Sequence, residues 1–413
     1  MIERFIRQEI EKALEVQTAV VLSGLPRVGR TTLANSWIVE AGNFAISFDA
    51  NRYLSDFADT RSFLEMVAGH LVVIENIAEQ TIDSVARLVR GAADGKDGTR
   101  FLLMLQRQAL FPKLATSLAG LVRGFELCPV QPDEAFCHAE LLKSPPVGLI
   151  VGDLTAAPAD YREWNQDVHW LRGGLPQSLE AVDDDSSFQW RRDYNNALLS
   201  GDFGDWSLGP ADRVLDVLGR IVAAHGQIFD EDKCRSELGL DRKSLRGSLN
   251  MLVGMGLVRM LPNVNRGGNA VFYVRDSGLF HAMSGVRTRE QLRGDKLHGH
   301  SWESFATEAL ILASGDRAKS YFYRDKEDDE IDLVLDFNPA FAALFAFEFK
   351  VSDDVDPEAG FWRACQRLQP THRLVVHSHG SFRRCAENVE AISLLTAIER
   401  VRSIFSPPSG AFR

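Results

Sequence analysis

The segment Gly24-Leu25-Pro26-Arg27-Val28-Gly29-Arg30-Thr31 fits G-x-x-x-x-G-K-[ST] at every defined position except the lysine, which is Arg30. A loop of this kind holds phosphate. Its glycines let the backbone wrap the anion, successive N–H groups form a nest, and the following helix N-terminus adds a favourable dipole. Gly24, Gly29, Arg30, Thr31 and Thr32 are therefore the candidate nucleotide contacts, with ATP and Mg2+ as the expected cofactors. The Thr31 hydroxyl is the candidate magnesium ligand. Arg30 keeps the positive charge, but its planar fork is no substitute for a compact ammonium.

The acidic strand end that such a loop works with is expected where the apolar run Leu71-Val72-Val73-Ile74 ends in Glu75-Asn76. Hydrolases of this type hold magnesium there and orient the attacking water beside it. Glu75 fills the metal position, but Asn76 fills the base position, and an amide takes no proton at neutral pH. Losing a general base costs about 10²–10⁴ in rate. The expectation is nucleotide binding with ATPase activity weak or absent.

A different constellation lies near the other end. Glu330-Ile331-Asp332 opens one strand-like run and Glu348-Phe349-Lys350 closes another. The two-residue period of a strand puts the outer members of each triplet on one face. Asp332 and Glu348 are then candidate ligands for a metal such as Mg2+, Lys350 a candidate to position water, and Glu303 on a preceding helix a further carboxylate. Together they make a candidate catalytic group for metal-assisted phosphodiester hydrolysis. The alternative is that Glu-x-Lys is a solvated strand end. The neighbouring run of Asp325 and Glu327–Glu330 reads as a solvated hairpin, and His298-Gly299-His300 as a linker.

Between these sites, helix patterns near 214–221, 230–238 and 242–255 precede a hairpin pattern at 257–274, the order of a winged helix-turn-helix. From Arg235 to Arg275 there are seven basic residues against two acidic ones. Arg242, Lys243 and Arg246 on the third helix and Arg266 in the hairpin loop are candidate DNA contacts, chiefly to phosphates. A protein-docking role is the alternative.

The elements that must carry these residues follow from patterning. Short apolar runs at 19–22, 44–48, 71–74 and 101–105, separated by helix-length segments, predict a parallel sheet with right-handed crossovers. The expected class is α/β: a P-loop core over 1–130, a helical lid and connector over 131–207, the winged helix over 208–290 and a C-terminal α/β domain over 291–413. A chain of 413 residues has room for that many domains. With 45% hydrophobic and 25% charged residues it is neither disordered nor fibrous. Runs such as Phe341–Phe347 are far short of the ~20 residues that span a bilayer. Five scattered cysteines without CxxC suggest neither a disulfide framework nor a zinc site. A cytoplasmic protein without membrane partners is expected. The net charge of −11 argues against nucleic acid only as an average, because the 235–275 block is locally basic.

The motifs together resemble the prokaryotic AAA-type ATPases with a C-terminal domain of unknown function. In that family a winged helix precedes a PD-(D/E)XK nuclease-like fold. The family's G-P-R-Q-V-G-K-T-T-L is mirrored by Gly24–Leu33, its I-D-E-I-Q by Ile74-Glu75-Asn76-Ile77, and its G-G-x-P by Gly173-Gly174-Leu175-Pro176. Y-F-x-D-x-G-L is similar to Phe272–Leu279. F-E-x-F-V, Y-W-R, E-V-D-F-V-L and E-V-K-x-S are similar to Trp302–Ala306, Phe322-Tyr323-Arg324, Glu330–Leu335 and Glu348–Ser352. The resemblance covers nearly the whole chain and implies that architecture; the candidate sites taken together make nucleotide-gated DNA processing the leading expectation. The family's S-L-A-G-R is similar to Ser117–Leu121, with Leu121 in place of the arginine. Departures at Arg30, Glu75, Asn76 and Leu121 leave the alternative of a non-catalytic nucleotide-responsive switch or scaffold. Nucleotide and DNA are the expected partners, with a homo-oligomer left open.

Overall fold

The computed structural model describes residues 2–41, 45–53, 59–95, 97–106, 108–143, 164–200, 211–265, 270–294, 296–352, 356–379, 382–386 and 388–405. The chain divides into two compact units. One comprises Met1–Val130, Asn196–Ala211 and Asn250–Leu257; the other comprises Gln131–Asn195, Asp212–Leu249 and Val258–Arg413.

In the first unit helix α1 (Ile6–Val16) leads to β1 (Ala19–Ser23), the phosphate-type loop and α2 (Arg30–Ala41). Then follow β2 (Ala45–Asp49), α3 (Thr60–Met66), β3 (Leu71–Ile77), α4 (Ile82–Asp94), β4 (Arg100–Leu105), α5 (Phe111–Ser117) and β5 (Val122–Glu126). All strand pairings are parallel, in the order β2-β3-β4-β1-β5. The interior strand β1 is buried along its whole length, which accounts for its unbroken apolar text. The sequence reading missed β5. Its residues Val-Arg-Gly-Phe-Glu carry two charges and a glycine, tolerated because the strand lies at the sheet edge.

After β5 come α6 (Pro132–Lys143), α7 (Gln166–Arg172), α8 (Pro176–Leu179) and α9 (Asp184–Ser200), whose last residues from Asn196 fall in the first unit. Asp184-Asp185, part of an acidic cluster whose composition reads as a connector, instead begin a helix; the Gly/Asp-rich stretch 201–209, which reads the same way, lies outside the described residues. Helices α10 (Ala211–Ala223), α11 (Glu231–Leu238) and α12 (Arg242–Gly254) then precede an antiparallel hairpin of β6 (Val258–Pro262) and β7 (Ala270–Val274). Asp230 caps α11 by accepting Lys233 N–H, and Gly239 ends it in the left-handed conformation. Helices α13 (Ser277–Ser284) and α14 (Arg289–Gly294) lead to α15 (His298–Ser314). His298-Gly299-His300 therefore opens a helix and is not a linker.

The remaining strands are β8 (Lys319–Arg324), β9 (Glu330–Asp336), β10 (Leu344–Lys350), β11 (His372–His377), β12 (Arg383–Ala386) and β13 (Val389–Ser393). Helix α16 (Ala359–Leu368) connects β10 to β11, and α17 (Leu394–Ser403) follows β13. They form a mixed sheet ordered β12-β13-β11-β10-β9-β8. Ile331, Val334, Ala346 and Val375 pack with Phe361 and Ala364 of α16. Leu333, Leu335, Phe347 and Val376 pack with α15 and α17 in a core that also takes in Leu261, Val271 and Tyr273 of the hairpin. The hairpin is tied to this sheet: Val264 N–H donates to Phe322 O at 3.2 Å, and Asn263 Nδ2 to Arg324 O at 3.1 Å. Among the described residues, no helix is long and apolar enough to cross a membrane.

Candidate functional sites

The loop between β1 and α2 adopts backbone geometry that its glycines permit. Gly24 sits at φ +145°, where a Cβ would lie 2.3 Å from the Leu127 carbonyl oxygen, and Gly29 sits at φ +104°. Thr31 and Thr32 are exposed at the start of α2. Thr31 Oγ1 donates to Glu75 Oε2 at 3.1 Å, and Ser47 Oγ donates to Glu75 Oε1 at 3.1 Å. The loop hydroxyl and the strand-end carboxylate are thus adjacent, although β4 separates β1 from β3 in the sheet. Arg30 turns elsewhere: its Nη1 donates to the Leu105 carbonyl, at the end of β4, at 2.5 Å.

Asn76 has φ +58°, a left-handed conformation that Asn tolerates, and its Nδ2 donates to Asp49 Oδ2 at 2.6 Å. Asp49 ends β2 and is the register partner of Glu75. Burial raises the Asp49 carboxyl, but the Asn76 amide and the N–H groups of Arg52 and Asn51 outweigh it and hold the group below the usual carboxylate range. Sequence reasoning passed over Asp49 and Ser47. The signal was there: an acid closes the apolar run of β2 just as Glu75 follows that of β3.

At the second site, the β9–β10 ladder is paired as far as Leu333 opposite Phe347, so Asp332 and Glu348 stand one step beyond it. Asp332 Oδ2 accepts Phe349 N–H at 2.8 Å. Lys350 Nζ lies 2.8 Å from Glu348 Oε1 and 2.6 Å from Glu358 Oε1. Glu358 stands at the position just before α16, and its own N–H donates to Glu348 Oε1 at 3.1 Å. Glu348 is buried, and its Oε2 has no hydrogen-bond partner among the described residues. Glu358 was not singled out from the sequence; an acid just ahead of a helix is the cue that marks it.

The charges here repel one another. Burial, then the Glu303 carboxylate, drives the Asp332 carboxyl well above its ordinary range, with Glu348 and Glu330 adding to the rise. Burial also raises Glu348, although Lys350 opposes it. Burial works against the Lys350 ammonium, but Glu348 and Glu358 prevail and lift it to about 12. Lys350 is therefore a fixed positive charge. Glu303 Oε2 lies 3.6 Å from His300 Nδ1, and as acceptor and negative charge this carboxylate raises the imidazole. The acidic run beside this site is not a solvated hairpin throughout. Asp329 is fully buried, with Arg363 Nη2 at 2.6 Å, and Arg367 bridges it to Asp325.

Both sites offer hard oxygen donors. Among the described residues, no group of three or more His, Cys, Asp or Glu is arranged to hold a metal. The donor sets fit magnesium in its usual form, one or two carboxylates completed by phosphate and water. Thr31 with Glu75 fits at the first site. At the second, Asp332 fits beside Glu348, whose buried Oε2 lacks a partner.

Arg242, Lys243 and Arg246 are exposed on α12; Arg246 lies 3.8 Å from Glu231 of α11. Arg266 lies outside the described residues.

Comparison with known proteins gives two family models, both described as domains of unknown function: DUF8612 over residues 163–290 and DUF4143 over 298–396. An uncharacterized protein of Mycobacterium tuberculosis and another of Mycobacterium bovis are each 27% identical over 354 residues, 83% of this chain and 72% of theirs. Among solved structures, the chain is similar to a Walker-type ATPase of Pyrococcus abyssi, at 15% identity and TM-score 0.47 over 69% of this chain and 96% of that one. It is also similar to the RuvB Holliday junction branch migration motor of Thermotoga maritima, at 15% identity and TM-score 0.34 over 64% and 90%.

Proposed function

We propose that the chain binds ATP with magnesium at the loop Gly24–Thr31 and hydrolyses it slowly at most. The reading rests on the contact between Thr31 Oγ1 and Glu75 Oε2 at 3.1 Å, which joins a phosphate-type loop to a strand-end carboxylate. Bound there, magnesium would be held by those two groups and would screen the phosphate charges. The loop amides take the phosphate oxygens, and Thr32 stands beside them at the helix start. Titrating the protein with a fluorescent ATP analogue, with and without magnesium, tests this reading. Binding that is absent in both conditions rejects it.

The nucleotide domain is proposed to act with a winged helix over 208–290 and a PD-(D/E)XK-like nuclease domain over 291–413. The crowding of Asp332, Glu348, Glu303 and Glu330 supports the nuclease-like part, because a divalent cation relieves repulsion that Lys350 alone leaves. Asp332 and Glu348 would hold the metal, and Lys350, kept charged, would steady the scissile phosphate or its water. Magnesium-dependent DNA cleavage, with Asp332→Ala as control, tests it; equal activity in both proteins rejects it. Arg242, Lys243 and Arg246 are the proposed phosphate contacts of α12.

A second reading, a nucleotide-responsive switch or scaffold without turnover, is favoured by one observation. The Arg30 guanidinium is spent on the Leu105 carbonyl, so phosphate must compete for it.

A further inference from the structure

We infer that Asp49, at the end of β2, supplies the water-holding carboxylate that Asn76 cannot, so that the nucleotide site is rearranged and still hydrolytic. The inference rests on the ATP-binding reading above.

Three observations carry it. Asp49 is the register partner of Glu75, which touches the loop threonine, so its carboxylate lies at the same sheet edge as the loop. Asn76 donates to Asp49 Oδ2 at 2.6 Å, so the amide in the expected base position aims a carboxylate. Asp49 Oδ1 accepts the N–H groups of Asn51 at 3.0 Å and Arg52 at 3.2 Å, which fixes the side chain. An ionised carboxylate offers about four lone-pair directions. Three are used, and a lone pair on Oδ2 remains for water.

The step is ordinary phosphoryl transfer to water. The water oxygen forms a bond to the γ-phosphorus as the bond from that phosphorus to the bridging β-phosphate oxygen breaks. The electron pair leaves with ADP, and the water proton passes to Asp49. A carboxylate so well supplied with donors is a weak proton acceptor, so turnover is slow.

The experiment measures release of labelled phosphate from ATP by the full chain beside binding of the fluorescent analogue. Asp49→Asn should lower turnover ~100-fold while analogue binding stays within about threefold. The reciprocal pair Asp49→Asn with Asn76→Asp moves the carboxylate to β3 and should recover activity, at a backbone position that Asp tolerates as Asn does. Recovery also shows that loss in the single variant is not misfolding. Unchanged turnover in Asp49→Asn overturns the inference. A wild type that binds ATP yet releases no phosphate also overturns it and leaves nucleotide binding standing. A wild type that binds no ATP overturns both.

Discussion

Asp276 accepts the backbone N–H of Gly174 at 2.9 Å, and the two segments around them interlock with no room for a side chain. A Cβ on Gly278 would lie 2.0 Å from the Arg172 carbonyl oxygen, and one on Gly173 would lie 2.2 Å from Asp276 Oδ1. Buried Arg191 completes the latch by donating to the carbonyls of Leu171 and Gly278, each at 2.9 Å. Two motifs more than a hundred residues apart are therefore halves of one joint.

Gly278→Ala is expected to destabilise by about 1–3 kcal/mol, since the clash is with backbone that cannot step aside. Gly299→Ala, in open space on α15, should stay within about 1 kcal/mol of wild type. Urea midpoints for the two variants check this. Equal midpoints would mean that the joint does not contribute to stability.

Glu308 on α15 is the buried counter-ion of the hairpin. Arg259 grips it with Nη2 at 2.7 Å and Nε at 2.9 Å, and Arg275 Nε adds a contact at 2.7 Å. Burial opposes the charge, but Arg259 and then Arg275 bring the carboxyl down to about 2 from its ordinary 4.5. A depressed acid stabilises the fold above its unfolded pKa, and that stability is lost as pH falls through the folded value. Unfolding between about pH 4.5 and 2 should steepen with acid in the wild type and flatten in Glu308→Gln. Glu308→Ala, which strands two guanidinium groups, should cost about 3–5 kcal/mol at neutral pH.

The sequence was most legible where residues repeat a simple rule. Buried parallel strands spell continuous apolar runs, and β9 and β10 begin and end where alternation and their charged ends predict. The edge strands β5 and β12 were missed because one side is wet and polar residues cost little there, and the short interior strand β13 was missed as well. At the sites, Gly24, Thr31 and Glu75 were visible as spacing, and so was the Glu348–Lys350 pair. Asp49 and Glu358 were not, because each reaches its partner across a strand pairing or a helix start that no local spacing encodes. The partnership of Arg259 and Arg275 with Glu308 was hidden for the same reason.

Asp332→Asn should make the protein more stable at neutral pH. The folded state raises this carboxyl, so the stability linked to its protonated form is complete below the unfolded pKa and lost as pH rises through the folded one. At neutral pH the wild type carries an ion that its surroundings resist, and the amide removes it while keeping an acceptor for Phe349 N–H. Magnesium should raise the melting temperature of the wild type and leave Asp332→Asn unmoved. A lower melting temperature in Asp332→Asn would make the carboxylate structural.

Arg30→Lys should tighten ATP binding. The shorter ammonium has no fork to share with Leu105 O, and it meets phosphate as a point charge. Thr31→Ala should remove the magnesium dependence of binding and spare magnesium-free affinity, because it deletes the proposed magnesium ligand and leaves the loop N–H groups in place. Analogue titrations in both ionic conditions separate the two effects. An affinity for Arg30→Lys equal to wild type would show that the Leu105 contact does not compete with phosphate.

The basic face of α12 makes a prediction about salt. Contacts from Arg242 and Lys243 to phosphate depend on counterion release, so each one removed should reduce the slope of log affinity against log salt by ~0.9 on duplex DNA, equally for unrelated sequences. Arg246 differs because Glu231 lies 3.8 Å away and part of its charge is already answered. Arg246 is exposed and Glu231 half-buried, and at 3.8 Å the pair itself contributes little to stability. Arg246→Ala should therefore cost less affinity than Lys243→Ala, and Glu231→Gln should strengthen binding by freeing the guanidinium. Fluorescence anisotropy with a labelled duplex at several salt concentrations reads all of these. If Lys243→Ala leaves the slope unchanged while Glu231→Gln has no effect, this face does not meet nucleic acid, and its charge is better assigned to a protein partner.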